Sequence, residues 1–544
     1  MKNRRAACLR LAGLAAAGFL TLSGTTPAGA QELTWADCGD DAAHADAECA
    51  HIVLPLQHDD PAAGTINVAL GRILSAAPMS ATRTQFWYLP GGPGDSGVET
   101  LGRLHAIFGE LGVDIYSLDH RGVRGTALLR CPEQEAEDSE EGRELSTEEW
   151  PACIEWLGAN RPDLDYLTAT ASARDVSAAI NATRGPGDRV IIFGASYGTY
   201  WANRYLTLFP DQPDGVILDG IVPADWTFAE FDDSLDQVGR SLLNRCVRDA
   251  ECAGHLGPDP ISLAQELPDR FDAGHCPDIS GEVDGRTLRL VLGNMLMSGP
   301  EVWPYIPAMV YRMDRCKIRD LEAAGSLFET LFDSGEVGEP ESHSPVLQRH
   351  VSMSELWPTS APRAEQFEAA IGRSTMTTAV SASFATTYDD WPRYPRPESA
   401  GLIATYSGPM LLLHGGLDPT MPVDRLSGLV EHFSGPGQEF VLFPDSGHVT
   451  LNENECARSM YESFIKAPGE PVDRTCMAAV AGIAFAAPDT DEPLFGTDDF
   501  WGESATTMEI GVIILNLLIA AAMAGTVLWV ARWMRRRRSA GAAE

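Results

Sequence analysis

Six short apolar runs, at 86–89, 113–118, 189–193, 216–218, 409–414 and 439–443, each close on a glycine or a turn. Runs that stay apolar instead of alternating with polar residues read as strands buried on both faces. Helix-like stretches separate most of them, which predicts a doubly wound, mostly parallel sheet. Segments 51–54 and 66–74, around the polar turn Asp59-Asp60-Pro61, read as an antiparallel start, for about eight strands in all. Between Gly220 and about Ala400 the strand rhythm stops, and helical segments such as 231–245, 286–297 and 318–332 replace it. The fold class expected is α/β, with a helical cap inserted into the sheet domain.

The two ends predict a location. Lys2, Arg4, Arg5 and Arg10 precede an apolar run over 11–22 and the small-residue triplet Ala28-Gly-Ala30, the pattern of a cleaved signal peptide. Residues 510–530 are almost wholly apolar and are followed by Arg532 and Arg535 to Arg538. This predicts one C-terminal transmembrane helix, a lipid-bilayer partner and a basic cytoplasmic tail, with the catalytic body exported and anchored on the outer side of the cytoplasmic membrane. The boundaries that follow are 1–30 signal peptide, 31–220 and 401–487 sheet domain, 221–400 cap, 488–508 acidic linker, 509–531 membrane helix and 532–544 tail.

Cysteine usage agrees with export. Of 11 cysteines, Cys8 lies in the signal, and proximity pairs the other ten as Cys38–Cys49, Cys131–Cys153, Cys246–Cys252, Cys276–Cys316 and Cys456–Cys476. No CxxC pair or Cys/His cluster has zinc spacing, so no metal is expected. A net charge of −37 argues against a nucleic-acid partner. Nothing in the sequence sets an oligomeric state.

The chemistry is concentrated in four places. Gly194-Ala-Ser196-Tyr-Gly198 directly follows an apolar strand and opens a helix-like stretch, as a nucleophile elbow does. In a chain with 51 glycines the motif alone is weak; its strand-turn-helix setting strengthens it. A serine hydroxyl needs a base to take its proton and a third group to hold that base. Asp418, just past the run 409–414, and His448, one loop beyond 439–443, follow in the order Ser, acid, His of the α/β-hydrolase fold. His414 and His432 are rival bases, one inside a strand and one on a helix. The glycine-rich segment from Leu89 to Gly97 suits an oxyanion hole, with backbone N–H groups of Gly92 and Tyr197 as donors, each lowering the barrier by about 3 kcal/mol. This chemistry requires no cofactor.

These residues resemble the prolyl and tripeptidyl aminopeptidase-like family of α/β-hydrolases. The resemblance rests on Gly91-Gly-Pro-Gly94 with Ser96-Gly97, Asp119-His-Arg-Gly122, the Ser196 elbow, Gly415-Gly-Leu-Asp418-Pro and Gly447-His448, with the Cys456 to Cys476 segment as closing module. It covers most of 86–480, but no motif in the cap. The resemblance implies a serine aminopeptidase that releases short units from the free amino end of peptides through an acyl-enzyme. It also implies acidic cap residues that hold the substrate amine, for which Glu230, Asp232, Asp233 and Asp236 are the candidates. Two features depart from the family: Arg124-Gly125-Thr126 inverts its usual order, and a membrane anchor is unusual in it. The alternatives are an esterase or amidase acting on a non-peptide acyl substrate with the same triad, and an inactive membrane-bound interaction protein.

Overall fold

In a computed structural model, residues 33–503 are described, apart from 40–43, 77–82, 137, 140–144, 279–282, 333–341, 361 and 487–493. The strands among the described residues are β1 (Ala36–Asp37), β2 (Glu48–Pro55), β3 (Thr65–Ile73), β4 (Thr84–Leu89), β5 (Asp114–Leu118), β6 (Arg189–Ala195), β7 (Gly215–Asp219), β8 (Met410–Gly415) and β9 (Gln438–Phe443). They form one sheet in the order β1-β2-β3-β5-β4-β6-β7-β8-β9. From β5 to β9 the pairs are parallel, and β1, β2 and β3 are antiparallel additions at one edge. The strand beyond the eight expected is β1, two residues long and beside the Cys38–Cys49 disulfide, too short to leave a hydropathy pattern.

Every residue of β4, β5, β7 and β8 is buried, which is why these strands read as mostly apolar runs without polar alternation. Successive side chains point to opposite faces, so one strand feeds two cores. Met410 and Leu412 of β8 pack with Trp201, Tyr205 and Val176 under the helices Ala169–Thr183 and Tyr197–Leu208. Leu411 and Leu413 face the other way, into the core of Phe108, Met460 and Phe464 from the helices Leu101–Phe108 and Glu455–Lys466. In contrast β2 alternates buried and exposed residues, as one-sided edge strands do.

Between β7 and β8 the described chain is helical, and it closes over the first of these cores. Its anchor is Glu355, at the end of the helix Pro345–Glu355. This fully buried carboxylate accepts from Tyr200 Oη at 2.7 Å, Tyr394 Oη at 2.7 Å, Arg204 Nη2 at 3.1 Å and the Ala169 amide at 3.2 Å. Two of those donors lie on the helix that starts at the elbow, so the cap is fastened to the element carrying Ser196. All five cysteine pairs expected from proximity are bonded.

Two expectations are corrected at the carboxyl end. Among the described residues no helix is long and apolar enough to cross a membrane. The longest, Phe231–Cys246, has 16 residues, short of the roughly 20 that a span requires. The expected membrane helix at 509–531 lies outside the described residues, as do the signal peptide at 1–30 and the tail at 532–544. The acidic stretch expected as a linker over 488–508 is described at 494–503, and there it docks on the cap. Phe495, Phe500 and Trp501 are buried, Trp501 stacks on His255 with ring centroids 4.1 Å apart, and its indole N–H donates to Glu251 at 2.9 Å. Asp498 and Asp499 make the segment read as solvated, while Phe495 before them and Phe500 and Trp501 after them supply the docking energy. Replacing Trp501 by Ala should cost about 3 kcal/mol of stability. Urea unfolding should show a lower midpoint with an unchanged slope; an unchanged midpoint would refute the docking.

Candidate active site

At the carboxyl end of β6 the chain turns sharply into the helix Tyr197–Leu208, and Ser196 takes φ 55° and ψ −128°. A positive φ at a residue with a side chain stores strain that the surroundings must hold. Gly198 lets the helix come so close that a Cβ there would stand 1.9 Å from the Leu89 carbonyl oxygen, and one on Gly194 would stand 2.4 Å from the Gly198 carbonyl. The Ser196 amide donates to the Asp219 carbonyl at 3.0 Å, which ties the turn to β7.

Asp418 follows β8 and is fully buried, and His448 follows β9 with its side chain 25% exposed. Asp418 Oδ2 accepts from His448 Nδ1 at 2.7 Å. Its other oxygen accepts from the Thr420 amide at 2.9 Å, the Thr420 hydroxyl at 2.8 Å and the Met421 amide at 3.0 Å. Burial alone would raise the Asp418 pKa, but the charge and hydrogen bond of His448 outweigh it and hold the carboxyl at about 2. Burial likewise disfavours the imidazolium of His448, but Asp418 overcomes it, and the His448 pKa rises above its ordinary 6.5. With Nδ1 donating to Asp418, Nε2 is the nitrogen left to accept a proton.

Ser196 and His448 line one cavity of about 230 Å³, together with Tyr88, Gly91, Asp95 and Arg103. Among the described residues no hydrogen bond joins the Ser196 hydroxyl to the imidazole, a contact that often closes only once substrate is bound. His448 also borders a second cavity, of about 690 Å³, whose far wall is the cap segment Leu296 to Trp303. His448 thus borders both the small pocket beside Ser196 and a larger cleft.

The rival histidines are engaged elsewhere. His414 is buried, accepts the Ile221 amide on Nδ1 at 3.1 Å and donates from Nε2 to the Met421 carbonyl at 2.6 Å. His432 is bonded to the Ala404 carbonyl at 3.0 Å.

Of the two expected oxyanion donors, Tyr197 is the first residue of its helix, where amides have no intrahelical acceptor. Gly92 has φ 101°, and its neighbour Gly91 is the glycine that lines the cavity. Asp119 holds this loop, accepting on Oδ1 from the Ser96 hydroxyl at 2.9 Å and the Gly97 amide at 3.0 Å. Burial pushes the Asp119 pKa up to about 6.

The four cap acids are not among the residues that line the Ser196 cavity. Asp232 caps a turn of its own, accepting from the Thr378, Ala379 and Ser381 amides at 2.8 to 2.9 Å. Asp236 accepts the Thr375 amide at 2.6 Å and pairs with Arg240 at 2.8 Å. Glu230 pairs with Arg425. Asp233 is exposed beside Asp232, where partial desolvation and the charges of Asp232 and Asp236 raise its pKa. Sequence reasoning missed Thr420, Asp219, Asp95 and Arg103. A hydroxyl two residues after a candidate acid was the one local signal, for Thr420; the others come together only through the fold. Among the described residues no group of three or more His, Cys, Asp or Glu side chains could hold a metal ion.

The family model described as TAP-like protein matches residues 376–476, which carry the end of the cap, Asp418, His448 and the Cys456–Cys476 disulfide. The tripeptidyl aminopeptidase of Streptomyces lividans is 28% identical over 226 residues, 38% of this chain and 41% of that protein. The serine protease Hip1 of Mycobacterium tuberculosis is 28% identical over 262 residues, 42% of this chain and 47% of that protein. The chain thus matches less than half the length of these curated relatives. The proline iminopeptidase structure from Mycobacterium smegmatis is 14% identical and covers 76% of this chain and 97% of that one, with a TM-score of 0.38, too low to carry an argument. With this sheet and elbow the chain has the architecture of a serine hydrolase of α/β-hydrolase type, and over residues 376–476 it is similar to TAP-like proteins.

Proposed function

We propose that the chain is a serine aminopeptidase that releases short units from the free amino end of peptides. The observation that carries this reading is that Ser196 and His448 share one small cavity while Asp418 holds His448 from its far nitrogen. His448 Nε2 takes the Ser196 proton as Oγ bonds to the scissile carbonyl carbon. The Tyr197 amide and the glycine loop at 91–92 receive the negative oxygen. His448 then returns the proton to the leaving amine as the C–N bond breaks, and water resolves the acyl-enzyme by the same steps. The relatives named tripeptidyl aminopeptidase and serine protease support peptides as the substrates.

We also propose that the catalytic body works outside the cytoplasm. Its five disulfides support this, since such bonds persist in oxidising compartments. Alkylating the unreduced native protein should modify none of these ten cysteines, and modification of most of them would refute export.

A fluorophosphonate probe should label the protein, and Ser196→Ala should abolish labelling and lower peptidase turnover by about 10⁴-fold or more. Peptide anilides with a free amine should be cleaved and their acetylated forms spared. Equal cleavage of both removes the aminopeptidase reading, and turnover of acyl esters with none of any peptide favours an esterase.

The acid limb of the pH profile follows from the raised His448 pKa. Only the neutral imidazole accepts the serine proton, so kcat/KM should fall as pH drops through that pKa, with its midpoint above 6.5. Asp418→Asn removes the group that raises it, so the midpoint should move to lower pH while kcat falls by roughly 10³- to 10⁴-fold. A rate unchanged between pH 5 and pH 8 contradicts the role given to His448.

A further inference from the structure

Resting on the aminopeptidase reading, we infer that Asp95 anchors the protonated α-amine of the substrate and that the unit released is a single residue. Asp95 lies in the glycine-rich loop after β4 and lines the same cavity as Ser196 and His448. Seen from the position of a Cβ on Gly91, Asp95 Oδ2 is 3.3 Å away and Ser196 Oγ 3.5 Å away. The carboxylate oxygen and the nucleophile are therefore less than about 7 Å apart.

Asp95 is also held in place. Its Oδ1 accepts from His343 Nδ1 at 2.7 Å, and residues 95 and 343 form an antiparallel bridge. On either side the Ser96 amide donates to the Ser342 carbonyl at 2.8 Å and the Ser344 amide to the Gly94 carbonyl at 3.0 Å. The cap thus fixes one carboxylate oxygen and leaves Oδ2 facing Gly91 and the cavity, where a fixed charge acts without reorganising. The cation in the cavity, Arg103, is hydrogen-bonded to Asn452, which also borders the larger cleft beyond His448. Negative charge therefore lies on the oxyanion-loop side and positive charge toward the cleft.

Distance selects the substrate. A nucleophile meets the scissile carbon at about 3 Å, and an ammonium meets a carboxylate at about 2.8 Å. The α-amine of the residue bearing that carbonyl is two bonds from the carbon, which spans the Ser196–Asp95 gap. Each further residue adds about 3.3 to 3.6 Å, so the amine of a tripeptidyl unit is carried roughly 7 Å beyond Asp95. The larger cleft that His448 also borders is left for the rest of the peptide.

Two measurements test this. Alanyl, dialanyl and trialanyl p-nitroanilides compared on the unaltered protein should give the highest kcat/KM for the single residue; cleavage of the trialanyl anilide alone, with the tripeptide released, overturns the inference. A protein that the fluorophosphonate labels but that cleaves no anilide of any length overturns the aminopeptidase reading itself. For Asp95, alanyl anilide is compared with propionyl anilide, which lacks only the amine. The unaltered protein should prefer the alanyl form by about tenfold or more, and Asp95→Asn should erase that preference mainly through KM. A purely structural role would lower both substrates alike, and a preference that survives in Asp95→Asn overturns the assignment. Should Asp95→Asn fail to fold, Asp95→Ser is compared in the same way, and the length series on the unaltered protein stands by itself.

Discussion

The site depends on what Asp219 does at the end of β7. Its backbone carbonyl takes the Ser196 amide at 3.0 Å, and its buried carboxylate takes the Thr450 amide and hydroxyl at 3.0 Å each, the Leu451 amide at 2.9 Å and the Tyr461 hydroxyl at 2.8 Å. One residue thus joins the elbow to the segment immediately after His448. Burial raises the Asp219 pKa although four donors favour its charge. Its neighbour Gly220 completes the wedge, because a Cβ there would stand 3.0 Å from the His448 ring. The spacing of nucleophile and base is therefore set inside the fold, where a buried polar group left without its partners costs about 1 to 3 kcal/mol.

A positive φ at Ser196 survives because the sheet and its helix leave it no alternative. Gly194 and Gly198 permit the close approach, and the two cores on either side of β6 and β8 hold the approach in place. The cap adds to this from outside the sheet. Through Glu355 it grips the elbow helix, and through Ser342 to Ser344 it grips the glycine-rich loop. Those contacts join the cap both to the elbow helix and to the loop that borders the cavity.

The acidic character of the chain has little to do with the site. Asp232 and Asp236 satisfy backbone amides of the cap, Glu230 pairs with Arg425, and Asp498 and Asp499 belong to a docked segment. Buried carboxylates here work as acceptors for amides and hydroxyls, a role that net charge does not reveal. Among the described residues that line the cavity, Asp95 is the acid.

Much of the fold was legible locally. Strands buried on both faces leave apolar runs, and β2 to β9 fall on the runs read from the sequence; β1 left none. A strand-turn-helix with glycines two residues either side of Ser196 announced the elbow, and chain order with strand ends pointed to Asp418 and His448. Cysteine proximity matched the five bonded pairs because each closes a short loop. The amine-holding acids were not legible. Glu230, Asp232, Asp233 and Asp236 differ from Asp95 only in which groups surround them, and those groups come from residues 342–344, 374–381 and 425, distant in sequence. What the sequence by itself determined was the kind of sheet and the places of Ser196, Asp418 and His448 at the ends of its strands, since periodicity and turn chemistry are local. Which carboxylate lines the Ser196 cavity, only tertiary structure decided, because long-range packing chooses which acids are spent on the protein's own amides.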